Sequence, residues 1–581
     1  MIITLLLAGT VVIPPHATRV ERFAADELAE GLGRVTGEAY AVVDKEPESG
    51  LRYLVGGDPL REAPWKTDEI RLVRTGDRIV LTGDPTRGPI YAVNEYLERF
   101  AGVRWWTKSE SDYPRRPGFL PPKELDIRYA PPFAYRETLY LDTLSDARFK
   151  VRMKCNVTSQ TRYVLPPAEE DFVPPEMGGN HRLVFFKGRR SSYHSFFEVL
   201  PPDKWFKVHP EWYALDAKTG ERSVKRGQLC VTDEAMAAEY IRETLRLLRE
   251  NPECDSIQVS QNDVYGYCEC PKCSARAEAE GSWSGPYLEF ANKVAEAVEK
   301  EFPNVMVDTF AYQFTSKAPK TVRPRKNVLV RLCSNECFFN RPLADSPAEW
   351  DRNASFMSNL GDWSRVADGR LYIWDYQANF TSYMLPHPNL QVFADNIRTF
   401  RKFGAVGVFE QGDALCPVGD FAALKQYVTA HLLWNPDLDW RDLRDEFLSG
   451  YYGSEVGKHI AKVLEIAEAS ATRPGVPGMR CYHKNVIDWI SVEAAQAALA
   501  EIDAAQAAAR QAGEPYVRRV RAVRMSWDHA RILNWERWAQ TGDRAEAIRE
   551  WKRGIKDFGV NAYCETTTRQ ALDDYLLKLG E

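Results

Sequence analysis

No stretch of this chain approaches the roughly 20 consecutive apolar residues of a membrane span, so no membrane partner is expected. It also lacks a basic tract: 76 Lys and Arg are interleaved with 82 Asp and Glu, for a formal net charge of −6. Nothing gathers phosphates, and nucleic acid is not expected as a partner. There is no P-loop, no dinucleotide fingerprint and no G-x-S-x-G elbow, which removes the common signatures of nucleotide and serine-hydrolase chemistry. No H-E-x-x-H or comparable His/carboxylate spacing occurs, so catalytic zinc is not expected and no cofactor is expected for catalysis. The opening MIITLLLAGTVVIPP has neither a basic n-region nor a small-residue cleavage site, and reads as a first strand rather than a signal peptide. Eleven cysteines, an odd number and mostly scattered singly, favour reduced thiols over a disulfide framework. That points to the cytoplasm, although a secreted or periplasmic protein without its leader would look the same.

Aromatic side chains, by contrast, are plentiful: 16 Trp, 26 Tyr and 26 Phe. Their faces stack on the C–H faces of sugar rings, and large cores use them too. With 581 residues, 44% apolar composition and mean hydropathy of −0.42, the chain is expected to be globular and to divide into several units.

Three regions differ in pattern. Residues 1–125 alternate short strands with helices, as in ATRVERFAADELAEGLGRVTG, LRYLVGG, EIRLVRT and DRIVLTG, and predict a small N-terminal α/β domain. The Pro-rich stretch from YPRRPGF to APPFAYR reads as a linker. Residues 126–445 repeat strand, loop and helix. The clearest strands are FAYRETLYLD, GQLCVTD, DSIQVSQND, VMVDTFAYQ, NVLVRLC, RLYIWDYQ and AVGVFEQGD, and the second and third strands are hard to place. Apolar strands alternating with helices predict a parallel sheet, and their number suits a (β/α)₈ TIM barrel. Residues 446–581 predict a C-terminal helical domain, packing on the barrel or forming a homodimer through its helices.

Parallel barrel strands deliver their C-terminal ends to one site. Carboxylates stand at several of those ends: Asp263 after Gln261-Asn262, Glu336 after NVLVRLCSN, Asp375 in IWDYQ, and Glu410 in FEQGD. Glycoside cleavage needs one carboxylic acid to protonate the leaving oxygen and a second carboxylate to activate water or attack the anomeric carbon. Asp263 is the expected acid, Asp375 or Glu410 the expected opposing group, and Glu336 stands behind them. The bland alternative is that such residues pair with Arg or Lys, or cap the next helix. Asn262, His194, Tyr312, Trp374, Tyr376 and Gln377 are the candidate substrate-binding residues, and His209, Glu211, Trp212 and Tyr213 are further cleft candidates.

Cys268, Cys270 and Cys273 follow Asp263 directly and offer three corners of a tetrahedral zinc site. Cys230 is the expected fourth ligand, and Cys333 and Cys337 are alternatives. A structural zinc is thus the one metal expectation, against free thiols or a disulfide.

Taken in order, these motifs carry a resemblance. RGPIYAVNEYLERFAGVRWW resembles the domain that precedes the barrel in bacterial hexosaminidases and xylan α-glucuronidases, and GAVGVFEQGD with LLWNPDLDWRDLRDEFLSGYYG is similar to the α-glucuronidase junction into the C-terminal helices. HPEWYAL, QLCVTD, QNDVYGYCECPKC, IWDYQANF, LPHPNL and GVFEQGD look like a bacterial domain-of-unknown-function family of barrel glycosidases allied to those enzymes. The resemblance covers nearly the whole chain. It implies an acid on strand four, matching Asp263, where the α-glucuronidases carry a glutamic acid. It also implies base carboxylates on strands six and seven, matching Glu336 and Asp375, and leaves Glu410 without a counterpart. Asn262 beside the acid is similar to hexosaminidase sites, in which the substrate acetamido group is the nucleophile. The expectation is a glycoside hydrolase acting on a terminal uronic acid or N-acetylhexosamine, inverting with two carboxylates. A substrate-assisted retaining hexosaminidase and a non-catalytic carbohydrate-binding barrel are the rivals.

Overall fold

The computed structural model describes residues 7–159, 173–184, 186, 193–347, 351–483, 487–565 and 569–579. The apolar run near the N-terminus forms β1 (Leu7–Val12). Thr18 and Glu21 cap each other to open α1 (Arg19–Thr36), and Gly37, at φ 80°, closes it. The strands β2 (Ala39–Val43), β3 (Arg52–Val55), β4 (Ile70–Thr75) and β5 (Arg78–Gly83) follow, then α2 (Gly88–Tyr96) and β6 (Asp126–Tyr129). They make a six-stranded sheet of order β2-β1-β3-β5-β4-β6. The stripe Ala24, Leu28, Leu32 and Val35 of α1 and most of α2 bury against it. The expected linker thus contains a strand: β6 pairs antiparallel with β4, so this sheet runs past residue 125.

The next strands are β7 (Tyr135–Leu139), β8 (Val157–Thr158) and β9 (His181–Arg182). After α3 (Glu234–Glu250) comes β10 (Ser256–Gln258), and then α4 (Pro271–Glu280) and α5 (Ser284–Glu301). β11 (Met306–Ala311), β12 (Val328–Cys333), α6 (Asp351–Ala367), β13 (Leu371–Tyr376), α7 (Phe393–Lys402), β14 (Ala405–Gln411) and α8 (Ala422–Trp434) complete the region. Six of the strands form a parallel half-barrel sheet, β10-β11-β12-β13-β14-β7, in which the first strand lies beside the last. β8 and β9 form a separate parallel ladder. Two departures from the expected repeat are clear. The connection from β11 to β12, residues 312–327, holds one 3-10 turn at Gln313–Thr315 and no α-helix. GQLCVTD is not a strand of this sheet: Leu229 bridges antiparallel to Tyr213, and the Cys230 N–H donates to Trp212 O at 2.8 Å.

Side chains alternate across the half-barrel. Arg331 on β12 is fully buried on the inner face, where its guanidinium lies 3.9 Å from the Tyr372 ring and donates to Asp308 and to Tyr193 Oη. The same phase turns Trp374, Tyr376, Phe409 and Gln411 inward, and Asp375 and Glu410 toward the surrounding helices. A second buried knot ties the N-terminal sheet to β7: Asp68 accepts from Arg87 at 2.6 Å, Arg136 at 2.7 Å and Asn156 at 2.7 Å. Burial alone would raise the Asp68 carboxyl, but the two arginines outweigh it and hold it at about 2.

The remainder is helical: α9 (Trp440–Tyr451), α10 (Ser454–Thr472), α11 (Val492–Ala512), α12 (Glu514–Leu533), α13 (Arg544–Asp557) and α14 (Arg569–Lys578). Its non-helical segments lie over the strand ends. Phe339 N–H donates to Met479 O at 2.8 Å, Phe380 N–H to Cys481 O at 2.7 Å, and Tyr383 N–H to Tyr563 O at 2.8 Å. Among the described residues, no helix is long and apolar enough to cross a membrane.

Candidate active site

Asp263 lies exposed in the loop after β10. Its Oδ1 accepts from Tyr312 Oη at 2.9 Å and Gln313 Nε2 at 3.3 Å. Burial and the neighbouring Asp263 carboxylate both push the Tyr312 phenol up, so it stays a donor. Gln261 locks the two loops together, its Nε2 donating to Tyr312 O at 2.9 Å and to Thr315 Oγ1 at 2.7 Å. His194 sits beside them at φ 60°, with Nδ1 3.0 Å from Gln261 O and its ring 6.1 Å from that of Tyr312. Asn262 turns the other way. Its Nδ2 donates to Gly227 O at 2.6 Å and its N–H to Gln228 Oε1 at 3.1 Å, so its amide holds the loop instead of facing the mouth.

A second carboxylate reaches the mouth from the C-terminal region. Glu565 Oε1 accepts from Gln411 Nε2 at 2.9 Å, and Oε2 accepts from Tyr482 Oη at 2.5 Å. Gln411 in turn accepts from Trp374 Nε1 at 2.9 Å. Tyr376, Phe380 and Tyr482 continue the wall, with ring centroids 5.9 Å and 5.4 Å apart along that series. Burial, then Glu565, Cys481 and Tyr312, push the Tyr482 phenol up.

Glu336 stands at the rim of the same end, already engaged. Tyr265 Oη donates to it at 2.7 Å, Arg352 pairs with it, and Arg480 approaches to 3.7 Å. A cavity of about 270 Å³ beside it is lined by Gln313, Cys333, Asn335 and Arg352 among others.

Asp375 and Glu410 do not oppose Asp263. They are directly opposite each other in the β13–β14 ladder, 3% and 0% exposed, on the face toward the helices. Ser334 Oγ donates to Asp375, whose carboxyl burial raises to about 6. Glu410 has no hydrogen-bond partner for either oxygen among the described residues, and burial, with Asp375 adding to it, pushes its carboxyl well up. Gln377 shares that outward phase. Its Oε1 accepts from Tyr140 Oη at 2.9 Å and Thr429 Oγ1 at 2.8 Å, away from the mouth. Pleat phase explains all three misplacements: a strand end offers alternate residues to opposite faces. His209 and Glu211 form a turn, with Nδ1 to Oε1 2.9 Å and the His209 ring stacked on Trp212 at 3.9 Å.

Residues 105–465, more than half of the chain, match the family described as Domain of unknown function (DUF4838). The chain belongs to that family. No curated protein matches it. Among solved structures, this DUF4838 protein is similar to a family GH115 4-O-methyl-α-glucuronidase with specificity for decorated arabinogalactans. The two share 12% identity at a TM-score of 0.58, over 96% of this chain and 77% of that one. That likeness shows a shared fold. A GH138 enzyme targeting pectin rhamnogalacturonan II follows at 10% identity and TM-score 0.45, over 98% of both chains.

Sequence patterns missed Glu565, Tyr482, Gln411 and Arg480 of the DUF4838 protein. A signal was present: GVPGMRCYHKN and GVNAYCETTT interrupt the helical pattern with Gly, Pro, Asn and Thr, and each carries charged and aromatic residues. The four cysteines foreseen as a cluster do converge: Cys230, Cys268, Cys270 and Cys273 are buried, with sulfurs all within 4.8 Å of one another. Cys333 and Cys337 lie elsewhere, both lining the cavity beside Glu336.

Proposed function

We propose that this DUF4838 protein is a glycoside hydrolase that removes a terminal sugar, with Asp263 as general acid and Glu565 as the opposing carboxylate. The observation that carries the reading is that two carboxylates beyond strand ends are each held by a tyrosine, Asp263 by Tyr312 and Glu565 by Tyr482. Tyr482 is 44% exposed and offers a face to a sugar ring, backed by the buried series Phe380, Tyr376 and Trp374. In the inverting reaction, Asp263 gives its proton to the leaving oxygen as the anomeric C–O bond breaks. Glu565 takes a proton from water, and the resulting hydroxide adds to the anomeric carbon from the opposite face. The scheme needs no cofactor.

The scaffold in this reading is a closed (β/α)₈ barrel. Its support is the bonding on either side of the β8–β9 ladder: Asn156 N–H donates to Arg136 O at 3.0 Å, and Val184 N–H to Ser256 O at 2.9 Å. Closure would gather all the strand ends at one mouth.

For the substrate class, Arg352 and Arg480 beside Glu336 favour an acidic sugar, because guanidinium groups bind carboxylates. The inward amide that substrate-assisted hexosaminidase chemistry calls for is not supplied by Asn262, which is bonded to Gly227. A panel of aryl glycosides, uronides and N-acetylhexosaminides among them, tests the reading, with NMR of the first-released anomer. Turnover lost in both Asp263→Asn and Glu565→Gln supports it, and wild-type rates in both overturn it. The ion pairing of Glu336 and the sealing of Asp375 and Glu410 favour a second reading, a non-catalytic sugar-binding protein. It predicts calorimetric binding of the same sugars with no turnover of any.

A further inference from the structure

We infer that Cys230, Cys268, Cys270 and Cys273 bind a structural zinc ion that clamps the loop carrying Asp263. The sulfur geometry decides between the candidate states. Cys230 Sγ lies 3.6 Å from Cys270 Sγ and 3.9 Å from Cys273 Sγ. A disulfide needs about 2.05 Å, whereas tetrahedral zinc with Zn–S bonds of about 2.3 Å sets its sulfurs about 3.8 Å apart. All four sulfurs lie within 4.8 Å of one another and all four residues are buried, so one ion reaches every ligand and no position is left open for water.

The surroundings suit thiolates. Leu215 N–H donates to Cys268 Sγ at 3.4 Å and Cys273 N–H to Cys270 Sγ at 3.5 Å. Arg222 Nη1, 4.0 Å from Cys268 Sγ, places a positive charge beside a centre that carries two net negative charges when four thiolates hold Zn²⁺. Cys270 also caps α4, which fixes the geometry of the pair it forms with Cys273.

The ligands come from two segments that meet at the mouth. Cys230 follows Gln228, which exchanges hydrogen bonds with the Asn262 backbone, the Nε2 donation to Asn262 O being 2.9 Å long. Cys268 closes the loop that begins at Asp263 and presents Tyr265 to Glu336. The ion therefore holds both ends of the loop, and its role is structural.

The inference does not depend on the glycosidase reading, and metal content tests it directly. Protein purified under reducing conditions is expected to hold about one zinc ion per chain. Ten of its eleven cysteines are buried, so the readout is the increment: adding a chelator to the native protein should raise the number of thiols reached by a thiol reagent by about four. Cobalt substitution should give thiolate charge-transfer bands and the visible bands of tetrahedral Co²⁺. Hydrogen exchange over residues 262–273 should rise when the ion is removed, and Cys273→Ser should lose the ion. Reduced wild-type protein that retains no zinc or cobalt after gel filtration would overturn the inference, as would mass spectrometry showing a disulfide within the cluster. Both readouts use the wild-type chain, so a misfolding cysteine variant does not blunt the test.

Discussion

Glu565 accepts a hydrogen bond from Gln411 at 2.9 Å, although 154 positions separate them in the chain. Gln411 ends β14, and Glu565 lies between α13 and α14. The C-terminal helices therefore do more than cover the half-barrel: their connecting segments supply a carboxylate and Tyr482 to its mouth. Removing the helical region would remove half of the proposed catalytic pair.

Replacing either carboxylate should be severe. Asp263→Asn and Glu565→Gln are each expected to lower kcat by about 10²–10⁴-fold, with unfolding temperatures near wild type because neither residue is deep in the core. Steady-state assays on the best aryl glycoside, alongside calorimetry, check both halves of this statement.

Tyr482→Phe should be milder. It removes one hydrogen bond to Glu565 while Gln411 keeps the other. A bond to a charged group is worth about 1.5–3 kcal/mol, so a loss of about ten- to a hundredfold in kcat/KM is expected. An unchanged value would separate Glu565 from the chemistry.

Glu410→Gln should spare activity and alter stability. Asp375 and Glu410 both have carboxyls raised by burial, Asp375 to about 6. The folded state binds their protons more tightly than the unfolded chain does. Their contribution to stability is therefore greatest in acid and falls as pH rises from about 4 through the folded values. Glutamine keeps the shape without the charge, so the variant should gain more unfolding temperature at pH 8 than at pH 5. Thermal melts at the two values decide, and a large loss of turnover would return Glu410 to the list of catalytic candidates.

Asp68→Asn has the opposite pH signature. The Asp68 carboxyl is lowered to about 2 from 3.8, so its stabilisation is complete above the unfolded value and disappears as pH falls between them. Breaking this buried knot leaves Arg87 and Arg136 without their shared counter-charge, at a cost of about 3–5 kcal/mol. Denaturant titrations at pH 7 and pH 3 should show that penalty shrinking in acid.

Gly412→Ala should be costly for steric reasons alone. A Cβ there would lie 2.2 Å from the Tyr140 ring, which bonds Gln377 and packs between β7 and β14. The ring has to move, and a destabilisation of about 1–3 kcal/mol is expected. Calorimetry of the single variant checks it.

Much of the architecture is carried by local pattern. Val328–Cys333 and Leu371–Tyr376 are buried along their whole lengths, and such runs, apolar but for Arg331 and Asp375, declare parallel strands without reference to anything distant. The cysteine cluster was legible because three of its members lie within six residues of one another. β8 and β9 were not, since two residues each give no period to read.

The site divides along the same line. Asp263 and Tyr312 could be named from the sequence, because each follows a recognisable strand directly. Which way Asp375 and Glu410 face is set by the phase of the pleat, and that phase is fixed by what packs inside, namely Arg331 with Asp308, Tyr193 and Tyr372. Glu565 was decided by tertiary structure alone. Nothing near it in the chain marks a strand end, and it reaches the mouth only because the segment joining two distant helices docks its backbone on Phe380. Local hydrogen bonding and side-chain period write the elements into the sequence, whereas the choice of which polar groups share one water-exposed end is made by long-range packing.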